Sequence, residues 1–345
     1  MNARPTIYDV AQRAGVSKSL VSLVLRNAPH VAEAKREAVK KAIQELGYRP
    51  SQAASALASQ STRSVGLLID DFRNPWFVEL LAGARSVLDP AGYTLTVADL
   101  RLEEASGRNP VDGFLAQHVD ALVVAAEAPP EMVRDVRVPL VIAGTRSLTP
   151  LLGNSLEDGG PADVVAGDDD AGGQLAARHL LERGHRRIAH LSGQGAPAEH
   201  RRQGFVRAMA AAGAEPLVYG LDGGTDEADG FRAMRQALEA GERAAGAPPT
   251  AVFAANDVMA LGAMAALRDA GLRVPEDVSV LGYDDSPLAA YGYIRLSTVD
   301  GHSRRLGAEA AQMALDRMAA PAAPARRLLL EPVVVERSSV RVTDA

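Results

Sequence analysis

At 345 residues the chain exceeds one ordinary domain, and 47% hydrophobic residues supply ample core, so two or three compact units are expected. Cysteine is absent, which excludes disulfides, thiolate catalysis and zinc–cysteine sites; MNARPTIYDV lacks an apolar signal region and no run reaches membrane-span length, so a soluble cytoplasmic protein is expected. The net charge of −6 is segregated: residues 1–63 hold ten Lys/Arg against four Asp/Glu, and the other 282 residues hold 27 against 39. Such a head can neutralise phosphates while the acidic body is kept off a polyanion.

Residues 6–27, TIYDVAQRAGVSKSLVSLVLRN, predict two short helices around a tight turn. Thr6 followed by Asp9 has the spacing of a capping box, and Val10, Ala11 and Ala14 form an apolar stripe. Gly15 ends this helix, Val16 fills the corner and Ser17 can cap a second helix. The three-residue turn is the length that a helix-turn-helix uses. On the second helix the 100° step places Val21, Val24 and Leu25 inward and Ser19, Ser22, Leu23 and Arg26 outward. A leucine on this polar face is misplaced in water, yet suits a thymine methyl in the major groove. This outward face can therefore touch bases. A plain helical hairpin with a solvated face is the alternative.

A third helix is predicted from Ala32 to Leu46, with Val39, Ile43 and Leu46 on one face and Gly47 at its end. Pro50 breaks the chain, and Ser51 can cap QAASALASQ, a helix too short to be stable in isolation. From Ser64 onward, short apolar runs alternate with amphipathic helices. VGLLID (65–70), YTLTVAD (93–99), ALVVAA (121–126) and LVIAG (140–144) read as one set of buried parallel strands. RRIAHLSG (186–193), EPLVYG (215–220), TAVFAAN (250–256) and VSVLGYD (278–284) read as a second. The fold class is thus an all-α headpiece followed by a two-lobed α/β body of two doubly wound parallel sheets, with a ligand crevice at the carboxyl ends of the strands.

The whole chain resembles the LacI/GalR family of bacterial transcriptional regulators. IYDVAQRAGVS, VSLVL and ELGYRPS resemble the family headpiece, and QAASALA its hinge helix. DFRNPWF, Gly172–Gly173 before HLLERGHRRIAHLSG, RRQGF, FAANDVMALGAM and GLRVPEDVSVLGYDD follow in the family's order. The resemblance implies a headpiece over 1–49, a hinge over 50–63 and a periplasmic-binding-protein-like body over 64–345. Within that body it implies a first lobe of about 64–166 and 288–325, and a second of about 167–287 and 326–345. It also implies a homodimer on a palindromic double-stranded operator, with Thr6, Tyr8, Ser17, Lys18, Ser19, Ser22, Leu23 and Asn27 at the DNA and Ala54 and Leu57 in the minor groove. Packing of Leu57 on its own body is the alternative to a wedge. Leu23 stands where many relatives have an arginine, Ser55 where many have a hinge arginine, and Ala32 replaces a capping serine.

Mapped by motif, the effector candidates are Asn74, Trp76, Phe77, Asp168, Arg201, Asn256, Asp257 and Asp284. An aromatic face beside carboxylate, guanidinium and amide groups suits a polyhydroxylated ligand, so a sugar or similar small polar metabolite is expected. Core packing for the two aromatics and helix capping for Asp257 and Asp284 are the alternatives. Thr225 stands where several relatives carry an aromatic, and the loop from Gly193 to Arg201 is shorter than in purine-responsive relatives, which weighs against a purine.

Two other classes compete. Gly193, Gly195 and Ala198 have a G-x-G-x-x-A spacing with Asp222 further on, as in a dinucleotide-dependent enzyme, although Pro197 and the Arg201–Arg202 pair are expected to delay the following helix. A solute-binding protein shares the two-lobed body but would leave the headpiece unexplained. His179, His185 and His190 fall on a helix end, a turn and a strand, so neither a metal site nor a cofactor is expected.

Overall fold

The computed structural model describes residues 5–25, 28–48, 61–104, 106–134, 136–145, 162–243 and 248–343. They form two compact units, Met1–Thr62 and Arg63–Ala345. Asn27, Ala54, Ser55, Leu57 and most of the expected hinge lie outside the described residues.

In the first unit α1 (Ile7–Ala14) starts on the expected capping box: Asp9 Oδ2 accepts from the Thr6 N–H at 2.7 Å, and Thr6 Oγ1 accepts from the Asp9 N–H at 3.4 Å. Gly15, at φ 65°, closes the helix in the left-handed region. Ser17 Oγ then accepts from the Leu20 N–H at 3.2 Å to start α2 (Lys18–Leu25). The third helix, α3 (Glu33–Leu46), has no side-chain acceptor at Ala32. Val10, Val21, Val24, Val31, Val39 and Ala42 form the core, with Leu20 and Ile43 packed against it. Leu25 does not point inward as its spacing suggested; it is 36% exposed. The inward stripe is Leu20, Val24 and Val21, and Leu25 lies about 40° beyond Val21 around the helix.

The second unit contains two six-stranded sheets. The first joins β1 (Ser64–Ile69), β2 (Thr94–Asp99), β3 (Ala121–Ala125), β4 (Leu140–Ala143), β5 (Asp163–Gly167) and β11 (Arg327–Leu330) in the order β11-β5-β4-β3-β1-β2, all parallel. The second joins β6 (Ile188–Leu191), β7 (Leu217–Tyr219), β8 (Ala251–Ala254), β9 (Ser279–Tyr283), β10 (Ser297–Asp300) and β12 (Val333–Val335) in the order β12-β10-β9-β8-β6-β7, with β12 alone antiparallel. Separate apolar layers cover the two faces of each sheet. That arrangement is the doubly wound one.

The sheets correct the expected lobe boundaries. Residues 288–300 belong with the second lobe, because β10 pairs with β9, and 327–330 belong with the first, because β11 pairs with β5. The chain therefore crosses between lobes after Gly167, after Asp300 and after Leu330. The strand STVD escapes an apolar-run search because its polar residues serve the interior. Thr298 Oγ1 donates to Asp257 at 2.6 Å, and the Ser297 N–H donates to Ser339 Oγ at 2.8 Å.

Close helix crossings position the side chains of the crevice. In the second lobe α8 (Asp169–Glu182) crosses α9 (Ala196–Ala211) at Gly173 and Gly204. A Cβ on Gly173 would stand 2.0 Å from the Arg201 carbonyl oxygen, and one on Gly204 2.0 Å from that of Asp170. Backbone lies against backbone there, so neither side can yield. Gly173→Ala is expected to lower unfolding free energy by about 1–3 kcal/mol through overpacking. Gly113→Ala, at a helical glycine with nothing within 4 Å, should leave it unchanged or raise it by up to about 1 kcal/mol. Urea denaturation of the two variants beside the parent checks both.

Candidate functional site

The loops at the carboxyl ends of the strands in the two lobes enclose a cavity of about 820 Å³, counting the open space at its mouth. In open α/β sheets ligands bind in the crevice at such ends. From the first lobe come Asp70 after β1, Glu127 after β3, Thr145 after β4, and Asn74, Trp76 and Phe77 around the start of α4 (Trp76–Leu88). Asn74 Oδ1 accepts from the Trp76 N–H at 3.0 Å, which fixes the entry to that helix. Trp76 meets Phe77 edge to face, with centroids 4.9 Å apart and planes at 84°. Phe77 also belongs to the lobe's core, so it packs there while lining the cavity.

The opposite wall is built on Arg201. Its Nε donates to Asp169 at 2.7 Å, its Nη1 to the Ala255 carbonyl at 2.6 Å, and its Nη2 lies 3.3 Å from Asp284. The guanidinium carbon rests 3.5 Å above the centroid of the Tyr283 ring. Arg201, Asp169, Asp284 and Tyr283 are all buried. Burial works against the charge on Arg201, but Asp169 and Asp284 outweigh it and hold the group protonated. Asp284, at φ 105°, is a non-glycine residue in strained backbone, and burial pushes its carboxyl up to about 8 against the pull of Arg201. Strained backbone and a displaced pKa coincide in this cleft residue.

Of the expected effector residues, Asn74, Trp76, Phe77, Arg201, Asn256 and Asp284 line this cavity. Asp168 does not. It caps α8, accepting from the Ala171 N–H at 2.9 Å, and its neighbour Asp169 faces the cavity instead. Asp257 is likewise withdrawn beneath the wall, where it accepts from the Ser286 N–H at 2.7 Å and the Thr298 hydroxyl at 2.6 Å. Asn256 lines the cavity while capping α11 (Asp257–Asp269), and its amide donates to the Thr225 carbonyl at 3.0 Å. Asp70 and Glu127 were missed, although an acid directly after an apolar strand was a legible signal.

The helix after Gly195 begins at Ala196, not late as Pro197 suggested, because proline is tolerated in a first turn where its N–H has no partner to lose. Gly193 is small for a packing reason: a Cβ there would lie 2.3 Å from the Gly224 carbonyl oxygen. No metal-binding cluster exists among the described residues.

On the headpiece Lys18, Ser19 and Leu23 are exposed, Ser22 is half-buried, and Tyr8 is 64% exposed. The Thr6 hydroxyl both accepts from the Asp9 N–H and donates to Asp9 Oδ2, so it is committed to the cap.

Burial raises the Asp257 carboxyl to about 6, against the two hydrogen bonds that favour its charge. A carboxyl raised on folding stabilises the native state below its unfolded pKa, and that stability is lost as pH rises toward the folded value. Relative to Asp257→Asn, the parent should therefore lose up to about 3 kcal/mol of unfolding free energy between about pH 4 and pH 7. Urea denaturation across that range measures the difference curve; a flat curve would contradict it.

Residues 6–51 match the family described as bacterial regulatory proteins, lacI family, and residues 177–340 match the periplasmic binding protein-like domain. The HTH-type transcriptional repressor PurR of Erwinia tasmaniensis is 36% identical over 97% of this chain and 96% of its own. A solved transcriptional regulator CelR–cellobiose complex is 33% identical, with TM-score 0.69 over 97% of this chain and 100% of that one. The lac repressor dimer bound to operator and the anti-inducer ONPF is 28% identical, with TM-score 0.82 over 98% of this chain and 100% of that one. With relatedness at this level along nearly the whole chain, the protein belongs to the LacI family of bacterial transcriptional regulators.

Proposed function

We propose that this protein is a cytoplasmic transcriptional repressor that binds a palindromic operator as a homodimer, with its operator affinity set by a sugar held between the lobes. The buried Arg201 group facing Trp76 and Asn74 across one cavity carries the reading. Asp284, raised to about 8, offers a carboxyl that can donate as well as accept, Arg201 and Asn256 donate, and Trp76 offers an apolar face, a combination that matches the hydroxyls and C–H faces of a sugar. The cellobiose complex of a relative supports the class, and the operator-bound lac repressor supports the DNA partner and the dimer. Tyr8, Lys18, Ser19, Ser22 and Leu23 supply the exposed reading surface. No helix among the described residues is long and apolar enough to cross a membrane.

The chain's single tryptophan, Trp76, lies in the cavity, so its fluorescence reports binding in a titration with a panel of mono- and disaccharides that includes cellobiose. Arg201→Lys should weaken the bound sugar tenfold or more, since an ammonium cannot reproduce the guanidinium fork that holds Asp169, Ala255 and Asp284 in place. Removing residues 1–62 should preserve that titration and abolish DNA binding, whereas an enzyme would keep turnover without its head. Leu23→Ala is expected to relax the base preference at one position of each half-site in a binding-site selection; an unchanged preference would exclude contact by that residue.

A further inference from the structure

Lys18 is the first residue of α2, the end of a helix at which a positive charge is disfavoured, and the first turn carries no acidic residue to offset it. Its ammonium is held by Tyr8 instead. The nitrogen lies 4.9 Å from the Tyr8 ring centroid and donates to the Tyr8 hydroxyl oxygen at 3.3 Å. Both side chains are exposed, and the capping box built on Thr6 and Asp9 fixes the turn of α1 that carries Tyr8. The contact contributes nothing to the core of the headpiece. It does fix where the cation stands.

We propose that Tyr8 and Lys18 act as one recognition unit, in which the phenol positions the Lys18 ammonium to read a single guanine in each operator half-site. The inference rests on the operator-binding reading above. An ammonium has three N–H donors, and Tyr8 takes one, leaving two on the outer side. Guanine presents two adjacent acceptors in the major groove, O6 and N7, whereas adenine sets a donor beside N7 that would oppose the ammonium. The first residues of a recognition helix are those that reach base edges, which is where Lys18 stands. Holding a flexible lysine on a ring removes rotamer freedom before DNA arrives, so less is lost on binding. Tyr8 is thus a positioning residue for Lys18.

The test is a binding-site selection by the full chain from a randomised duplex library at low ionic strength, followed by affinities for the selected duplex and for its guanine-to-adenine variants. The parent should enrich guanine at one position per half-site, and Lys18→Ala should erase that preference. Tyr8→Phe keeps the ring but removes the hydroxyl, and should cut discrimination at that base about five- to twentyfold while preferences elsewhere stand. Adding Tyr8→Phe to Lys18→Ala should change nothing further at that position. A Tyr8→Phe variant that weakens all sequences alike, keeps full discrimination, or adds its loss to that of Lys18→Ala overturns the unit. Should the parent enrich no sequence at all, the operator reading falls and this inference with it.

Discussion

The crevice depends on one buried cation. Arg201 reaches Asp169 at the start of one helix, the Ala255 carbonyl at the end of a central strand, and Asp284 at the end of the next, while lying on the Tyr283 ring. A buried guanidinium is tolerable only when its donors are met, and here one side chain gathers three elements of the second lobe into a single wall. The glycines follow from the same constraint. Gly173 admits the Arg201 backbone, and Gly172 leaves room for the Tyr283 hydroxyl, which a Cβ would approach to 2.4 Å. A wall tied together in this way holds its polar atoms in place before any ligand arrives, which lowers the ordering cost of binding.

Electrostatics divides the work within that wall. Asp169 is held by a 2.7 Å contact, whereas Asp284 has a longer one at 3.3 Å and sits on strained backbone. The less satisfied carboxyl is the one with capacity left for a further partner in the cavity. Asp257, below it, repels its charge and ties β10 to the start of α11 through Thr298. Structural and cavity-lining carboxylates therefore alternate along neighbouring segments, Asp168 against Asp169 and Asp257 against Asp284. That alternation explains the errors of motif mapping.

Much of this was legible in the residues, and the failures have physical causes. The capping box, the left-handed Gly15, the eight apolar strands and six of the eight mapped cavity residues follow from period, turn chemistry and motif. Asp168 and Asp169 are adjacent acids, and only helix geometry decides which one caps and which one faces the cavity. Leu25 was misassigned because Leu20 and Leu25 flank Val21 and Val24 on opposite sides, and in a helix of two turns spacing alone does not say which of the two faces inward. The lobe boundaries failed at β10, whose Ser297 and Thr298 are buried for hydrogen bonding and therefore look like loop in a search for apolar runs. Two crossings, after Asp300 and after Leu330, depend on strand pairing over long separations, which local pattern does not carry.

The proposed coupling of a DNA-reading head to a sugar-binding body is measured most directly by the affinity of the full chain for its selected operator duplex with and without saturating sugar, by fluorescence anisotropy at fixed salt. A change of about tenfold or more, in either direction, is the result predicted for coupled sites, equivalent to about 1.4 kcal/mol of coupling free energy. Sugar that saturates the Trp76 signal while leaving operator affinity unchanged would contradict it.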